Sequence, residues 1–262
     1  PKLDVLDLKA ISKAAQTYKV PFIVDNTVAT PFLLNPIEHG ANIVIHSLTK
    51  YIGGNGTSLG GVIIDAGNFD WSNGKFPEFT EPSAGYHGLK YYEVLGAASF
   101  IAKVRIEGLR DLGASLSPFN AFQIIQGLET LAIRIKKHSE NALELAKWLQ
   151  KRPEVAWVNY PGLISSKYYD LAQEYLTEGQ SGIVTFGLKG GYEAAKKVAD
   201  ETQFFSLLAN IGDTKSLIIH PASTTHQQLS EEQQITTGVT KDLIRLSVGL
   251  EDIEDLKADL QS

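Results

Sequence analysis

Residues 43–62 read IVIHSLTKYIGGNGTSLGGV. The opening Ile43-Val44-Ile45 is a short apolar run that suits a buried strand. Ser47, Thr49 and Lys50 follow in close order, then glycines at 53, 54, 56, 60 and 61. A strand end is a rigid mount for chemistry, and glycines let backbone approach a ligand closely. Hydroxyls beside the lysine suit an anionic group such as a phosphate. Lys50 itself suits a nucleophile if its surroundings lower its pKa. Taken alone, Lys50 is better read as a solvated lysine before a flexible turn, and a glycine-rich run specifies little.

A second stretch shifts that balance. Residues 20–27 read VPFIVDNT, an apolar strand that ends in Asp25 and runs on to Thr27. Two buried strands would therefore end in Asp25 and in Ser47-Leu48-Thr49-Lys50, with a short connection between them. In an open α/β sheet, ligands sit at the carboxyl ends of strands. An acid and a lysine so placed match the needs of pyridoxal phosphate. The lysine forms its Schiff base and the acid pairs with its pyridinium nitrogen. The plain alternative for Asp25 is a helix cap or turn aspartate.

The sequence FIVDNTVATPF followed by IVIHSLTKYIGGNGTSLGGVIID resembles the fold-type I pyridoxal-phosphate enzymes of Cys/Met metabolism. Within that family, NFDWSNGKFPEFTEPSAGYHGLKY (Asn68 to Tyr91) is similar to an insertion of the O-acetylhomoserine sulfhydrylases. RDLGASLSPFNAFQIIQGLETLAIRIKKHSENA, IGDTKSLIIHPASTTHQQL and LIRLSVGLED resemble the same enzymes. The resemblance runs from Pro1 to the C-terminus. It implies an α/β fold of the fold-type I class: a mainly parallel sheet with flanking helices, plus a smaller C-terminal α/β domain. It also implies that the family's large N-terminal portion is missing here.

Composition bounds the rest. A chain of 262 residues, 43% hydrophobic and 21% charged, can bury a sizeable core in one large or two smaller domains. We expect residues 1–112 to be the C-terminal part of a large cofactor-binding domain and 113–262 a second domain. The net charge of −6 argues against nucleic acid as a partner and gives no reason to expect anionic membranes. Without cysteine there is neither a disulfide framework nor a cysteine-ligated metal, and no metal is expected. No apolar run approaches a membrane span and no secretory signal opens the chain, so a cytoplasmic location is expected. Methionine is also absent. That fits a processed start before Pro1 or a piece of a longer chain, and the resemblance favours the second.

In chain order, Leu8, Ile11, Ala15 and Tyr18 share a helical face behind a candidate N-cap at Asp7. Pro31 and Pro36 break any helix through ATPFLLNPIEHG. A strand is expected at Gly61–Ile64. Asn68 to Ala98 is too long for an ordinary loop, so it reads as functional or as an interface, although its aromatics more often pack than bind. Residues 100–112 read as helical, Gly113 as a break and Pro118 as a helix start. Gly127 and Ser139 interrupt the pattern that runs to about Gln150, which predicts two helices or a kink. Strands follow at VAWVNYP, GIVTFGL, SLIIH and LIRLSVG, with helices near Tyr168, Tyr192 and Ile253. Glu231-Glu232 and Lys136-Lys137 read as solvated charge pairs.

Arg245 lies within an apolar strand, and such an arginine needs an anionic partner. A substrate carboxylate held bidentate and a structural ion pair are equally good candidates from the residues alone. The resemblance assigns Arg245 to the α-carboxylate of an amino acid and Ser216 to the same carboxylate. It places Thr27 beside the cofactor. His220 and His226 read as structural. Together these imply a pyridoxal-dependent γ-replacement. Lys50 would hold the cofactor and move protons, Asp25 would keep the ring nitrogen protonated, and Ser47 and Thr49 would bond the phosphate. O-Acetylhomoserine and sulfide would give homocysteine and acetate in a homo-oligomer, a dimer or tetramer. A cystathionine γ-synthase or γ-lyase is the alternative that the Asn68–Tyr91 insertion disfavours. A catalytically silent scaffold that folds and self-associates is the alternative of another class.

Overall fold

The computed structural model describes residues 2–261. Helix α1 (Leu8–Thr17) begins where expected, because the Asp7 side chain accepts the Ala10 amide at 3.0 Å. Its inner face buries Leu8 and Ser12, whereas Tyr18 falls past the end of the helix and is exposed. Strand β1 (Ile23–Asp25) follows, then a single turn α2 (Thr30–Leu33) with Pro31 in its first turn, where no amide is needed. Pro36 likewise opens a short 3₁₀ turn at Pro36–His39 rather than only ending one.

Strand β2 (Ile43–Ser47) pairs parallel with β1 and antiparallel with β3 (Gly61–Asp65). The α/β class therefore stands, but the expectation of a mainly parallel sheet does not describe these residues. β3 returns beside β2 through the lysine loop, pairing Ser47 with Gly61 and Ile43 with Asp65. The second sheet has the order β4-β5-β8-β7-β6, and only its β6–β7 pair is parallel. Its strands are β4 (Val155–Asn159), β5 (Ile183–Leu188), β6 (Ser206–Leu207), β7 (Leu217–Ile219) and β8 (Leu243–Ser247).

The stretch after β3 contains α3 (Pro77–Thr80), α4 (Tyr91–Leu95) and α5 (Ser99–Lys103), the last continuing as a wide helical turn over Val104–Arg110. Trp71, Phe79 and Tyr91 are buried against Ile43 of β2, and Trp71 stacks on Phe100 with ring centroids 5.1 Å apart. The aromatic insertion thus covers one side of the strand that leads to Lys50. Helix α6 (Pro118–Glu129) starts at Pro118, and α7 (Leu131–Leu149) follows after a break at Thr130. Ser139 does not interrupt α7. Its hydroxyl donates back to the Ile135 carbonyl at 2.9 Å and accepts the Ser181 amide at 3.0 Å, so it is a helix residue with a tertiary partner.

The remaining helices are α8 (Tyr169–Tyr175), α9 (Gly191–Glu201), α10 (Glu231–Thr237) and α11 (Ile253–Gln261). Glu231 and Glu232 are more than a solvated pair: they lie in the first turn of α10, behind a capping box of Ser230 and Gln233. The main core packs α7, α9 and α11 on the second sheet through Leu145, Val184, Phe186, Ile218, Ile244 and Leu246. No helix among the described residues is long and apolar enough to cross a membrane.

Candidate active site

β1 and β2 lie side by side in parallel, with Asp25 opposite Ile45, so both open their carboxyl ends on the same edge. Thr27 ties those ends together. Its hydroxyl donates to Asp25 Oδ1 at 2.6 Å and accepts the Ser47 amide at 2.8 Å. The Thr27 amide also donates to Asp25 Oδ1, at 3.0 Å. That oxygen is saturated and fixed, while Asp25 Oδ2 makes no hydrogen bond among the described residues. The carboxylate is held in orientation with one oxygen left for a ligand. Next to it, His46 is a buried imidazole whose Nδ1 has no partner among the described residues, and burial lowers its pKa. Nothing in the spacing of the sequence singled it out.

Lys50 sits on a wide helical turn, Leu48–Ile52, and its own backbone (φ −91°, ψ −132°) is not helical. Its Nζ donates to Asn210 Oδ1 at 2.5 Å. Burial lowers the Lys50 pKa, and the neighbouring Arg245 guanidinium lowers it further. This amine is therefore closer to its neutral, nucleophilic form than a surface lysine is.

Arg245 arrives from the other end of the chain. It is on β8, a central strand of the second sheet, between Ile244 and Leu246, which are buried in the core. Alternation along the strand turns Arg245 to the opposite face. There its Nη2 donates to the Asn210 backbone carbonyl at 3.0 Å, while its buried Nε has no hydrogen-bond partner. No carboxylate pairs with Arg245 among the described residues, so the structural ion pair that the sequence left open is not formed. A half-buried guanidinium with an unsatisfied donor fits an anionic ligand.

Two expected ligand groups are engaged elsewhere. The Thr49 hydroxyl accepts the Gly60 amide at 3.1 Å and contacts the Gly60 carbonyl at 3.3 Å, so it pins the glycine loop. Ser216 is fully buried, its amide and hydroxyl both donate to Glu251, and its hydroxyl accepts the Gly249 amide at 2.8 Å. The hydrogen bonds of Ser216 thus go to Glu251 and Gly249, whereas Lys50 and Arg245 both bond Asn210. Ser47, Thr27, Asp25, Lys50 and Arg245 are brought to one region. His220 is a structural residue, bonded through its ring to Ser223 Oγ and the Lys241 carbonyl, both at 2.8 Å. Among the described residues no group of three or more acids or histidines converges as a metal site.

The residues fit pyridoxal phosphate in two respects, an amine of lowered pKa and an oriented carboxylate with a free oxygen, while the guanidinium without an anion suits the carboxylate of an amino-acid substrate. The phosphate fit is partial, because Thr49 is engaged with Gly60.

Comparison with known proteins points to the same cofactor. The model of the family described as Cys/Met metabolism PLP-dependent enzymes matches residues 1–262. The O-acetyl-L-homoserine sulfhydrylase of Leptospira meyeri is 57% identical over all of this chain, which covers 61% of that protein. O-acetyl-L-homoserine sulfhydrylase 1 of Thermus thermophilus is 51% identical, again over 100% of this chain and 62% of its own length. The crystal structure of a putative O-acetylhomoserine (thiol)-lyase from Campylobacter jejuni, which carries a pyridoxyl-lysine monophosphate, superposes with a TM-score of 0.95 at 48% identity. That superposition covers 100% of this chain and 62% of the other. The chain spans about three fifths of the length of the curated relatives it matches.

Proposed function

The chain belongs to the Cys/Met-metabolism PLP-dependent enzyme family, and from that premise we propose that it carries the lysine and the substrate anchor of an O-acetylhomoserine sulfhydrylase. The reaction is γ-replacement: O-acetyl-L-homoserine and sulfide give homocysteine and acetate. The observation that carries this reading is the meeting of Lys50 and Arg245 on Asn210, an amine of lowered pKa beside a guanidinium without an anion. The close identity to sulfhydrylases supports the choice of acyl group and nucleophile.

Each residue then has a role. Lys50 would hold the pyridoxal phosphate through its amine, and Asp25 Oδ2 would face the ring nitrogen. Ser47, with Thr27 behind it, would face the phosphate, and Thr49 would shape the loop around it. When bound, the cofactor supplies an electron sink that makes the substrate's Cα proton acidic. Arg245 binds the α-carboxylate in a fork and orients the Cα–H bond toward Lys50. Lys50, neutral when released, takes that proton as general base and returns it as general acid. The same reading includes a division into two domains near Gly113, self-association as a dimer or tetramer, and a cytoplasmic location.

Borohydride reduction of the cofactor-loaded full-length protein, followed by peptide mapping, tests the assignment. A pyridoxyl group on Lys50, together with homocysteine made from O-acetylhomoserine and sulfide, is expected. An adduct on another lysine, or cystathionine made faster from cysteine than homocysteine from sulfide, would overturn it.

A further inference from the structure

We propose that Arg134 is a positioning residue for Lys50: from α7 its guanidinium clamps the turn that carries the amine against the α6–α7 junction. The inference rests on the reading of Lys50 as the cofactor-holding lysine.

The turn needs such a clamp. Because Lys50 leaves helical geometry, the hydrogen-bond ladder of Leu48–Ile52 is incomplete. The Leu48 and Lys50 carbonyls receive amides from Gly53 and Gly54, at 2.9 and 2.8 Å. The next two carbonyls, of Tyr51 and Ile52, must be satisfied from outside the turn. Arg134 does this, with Nη1 donating to Tyr51 O at 2.7 Å and Nη2 to Ile52 O at 3.0 Å. The same Nη2 donates at 2.6 Å to the Gly127 carbonyl in the last turn of α6, which also accepts the Thr130 amide and hydroxyl, both at 3.2 Å. Nε donates to Thr130 Oγ1 at 3.0 Å, which sets the plane of the fork.

Arg134 is 8% exposed and has no carboxylate beside it among the described residues. A buried cation without an anion is costly, and three carbonyl dipoles are what offset it here. An apolar side chain would fill the space without that cost, but it would not hold the turn.

The facing surface is built to the same end. A Cβ on Gly127 would strike the carbonyl oxygens of Ile52 and Gly53, so α6 lies directly against the turn only because residue 127 is glycine. On the far side Tyr51, the residue after Lys50, is buried over Gly212, and its hydroxyl accepts the Gly182 amide at 3.2 Å. The backbone on either side of the amine is thereby fixed to both halves of the chain. The position of Nζ against Asn210 and Arg245 depends on that fixing. A misplacement of about 1 Å at a reacting group costs on the order of a hundredfold in rate.

The test uses the full-length protein loaded with pyridoxal phosphate. Arg134→Lys keeps the charge and loses the planar fork. It should lower kcat for homocysteine formation about tenfold or more, while KM for O-acetylhomoserine stays within about twofold. A second readout needs no cofactor: the pH dependence of Lys50 acetylation by acetic anhydride, read by peptide mass spectrometry against exposed Lys13. The charged group that faces Lys50 is Arg245 of β8, and Asn210 is neutral. The Lys50 titration should move up toward that of an ordinary lysine in Arg134→Lys, and retained charge at 134 makes this a report of geometry. If Arg134→Lys does not fold, Thr130→Val, which removes the acceptor of Nε, should show the same changes at smaller size, about threefold in kcat. Folded variants that melt lower but keep kcat and the Lys50 titration would show a purely structural arginine and overturn the proposal. A wild-type adduct mapped away from Lys50 would instead overturn the reading on which it rests.

Discussion

The amine of Lys50 and the side-chain carbonyl of Asn210 are 2.5 Å apart, although 160 positions of sequence separate them. The backbone carbonyl of the same asparagine accepts from Arg245 at 3.0 Å. One residue thus sets the spacing between the amine and the guanidinium. An amide suits this place because it accepts a hydrogen bond without adding charge. Burial and Arg245 can then both hold the Lys50 pKa down.

Asn210→Asp tests that balance. A carboxylate in hydrogen-bond contact favours the protonated amine, so the Lys50 pKa should rise. Less neutral Lys50 would be present near pH 7, and the acidic limb of the kcat profile should move to higher pH by roughly one unit or more. An unmoved limb would show that Asn210 is not in contact with the working amine.

Asp25→Asn keeps the shape of the strand end and removes its charge. Loss of the ion pair to a ring nitrogen should lower kcat by roughly a hundredfold, the equivalent of about two pKa units. Thr27→Val should act through Asp25, because the Thr27 hydroxyl holds Oδ1 at 2.6 Å. A charge-assisted bond of about 1.5–3 kcal/mol is at stake, so a fall of roughly tenfold is expected. Near-normal turnover in Asp25→Asn would remove Asp25 from the site.

Arg245→Lys should raise KM for the amino acid roughly tenfold or more, because a point charge does not reproduce the fork. Cofactor binding, followed by the visible absorption band, should stay normal. Unchanged KM with a lowered melting temperature would make Arg245 a structural residue.

His138 gives a pH prediction for stability. It is fully buried, its Nδ1 lies 2.6 Å from the Val248 carbonyl and its Nε2 has no partner among the described residues. Burial pushes its pKa from the ordinary 6.5 down to about 4. The unfolded chain therefore binds a proton that the native protein refuses between those values. Stability from this group is complete above pH 6.5 and is lost as pH falls toward 4, by about 3 kcal/mol in all. Urea unfolding at pH 7 and pH 4.5 should show the loss in the wild type and a smaller one in His138→Gln; equal losses would clear His138.

Much of this was legible in the chain. The apolar runs ending in Asp25 and at Ser47 marked two strand ends, since a buried strand must stop where polar residues begin. Asp7 and Pro118 marked helix starts because capping and a missing amide are properties of one or two residues. The stretch from Asn68 read as packing aromatics, and Trp71, Phe79 and Tyr91 do pack. Gly127 looked like a helix interruption, but it lies within α6, and its lack of a Cβ admits the lysine turn. That reason is invisible without the other segment.

The strands that end in Asp25 and Ser47, and the helix starts at Asp7 and Pro118, follow from neighbouring residues and their periodicity, so the chain's own text carries them. Only the tertiary structure decided which polar atoms are free for a ligand. It turned Thr49 onto Gly60 and Ser216 onto Glu251, put Asn210 between Lys50 and Arg245, and brought Arg134 to the carbonyls behind the amine. The reason is physical: a buried hydrogen-bonding group takes whichever partner the folded chain carries to it, and these partners come from segments remote in sequence.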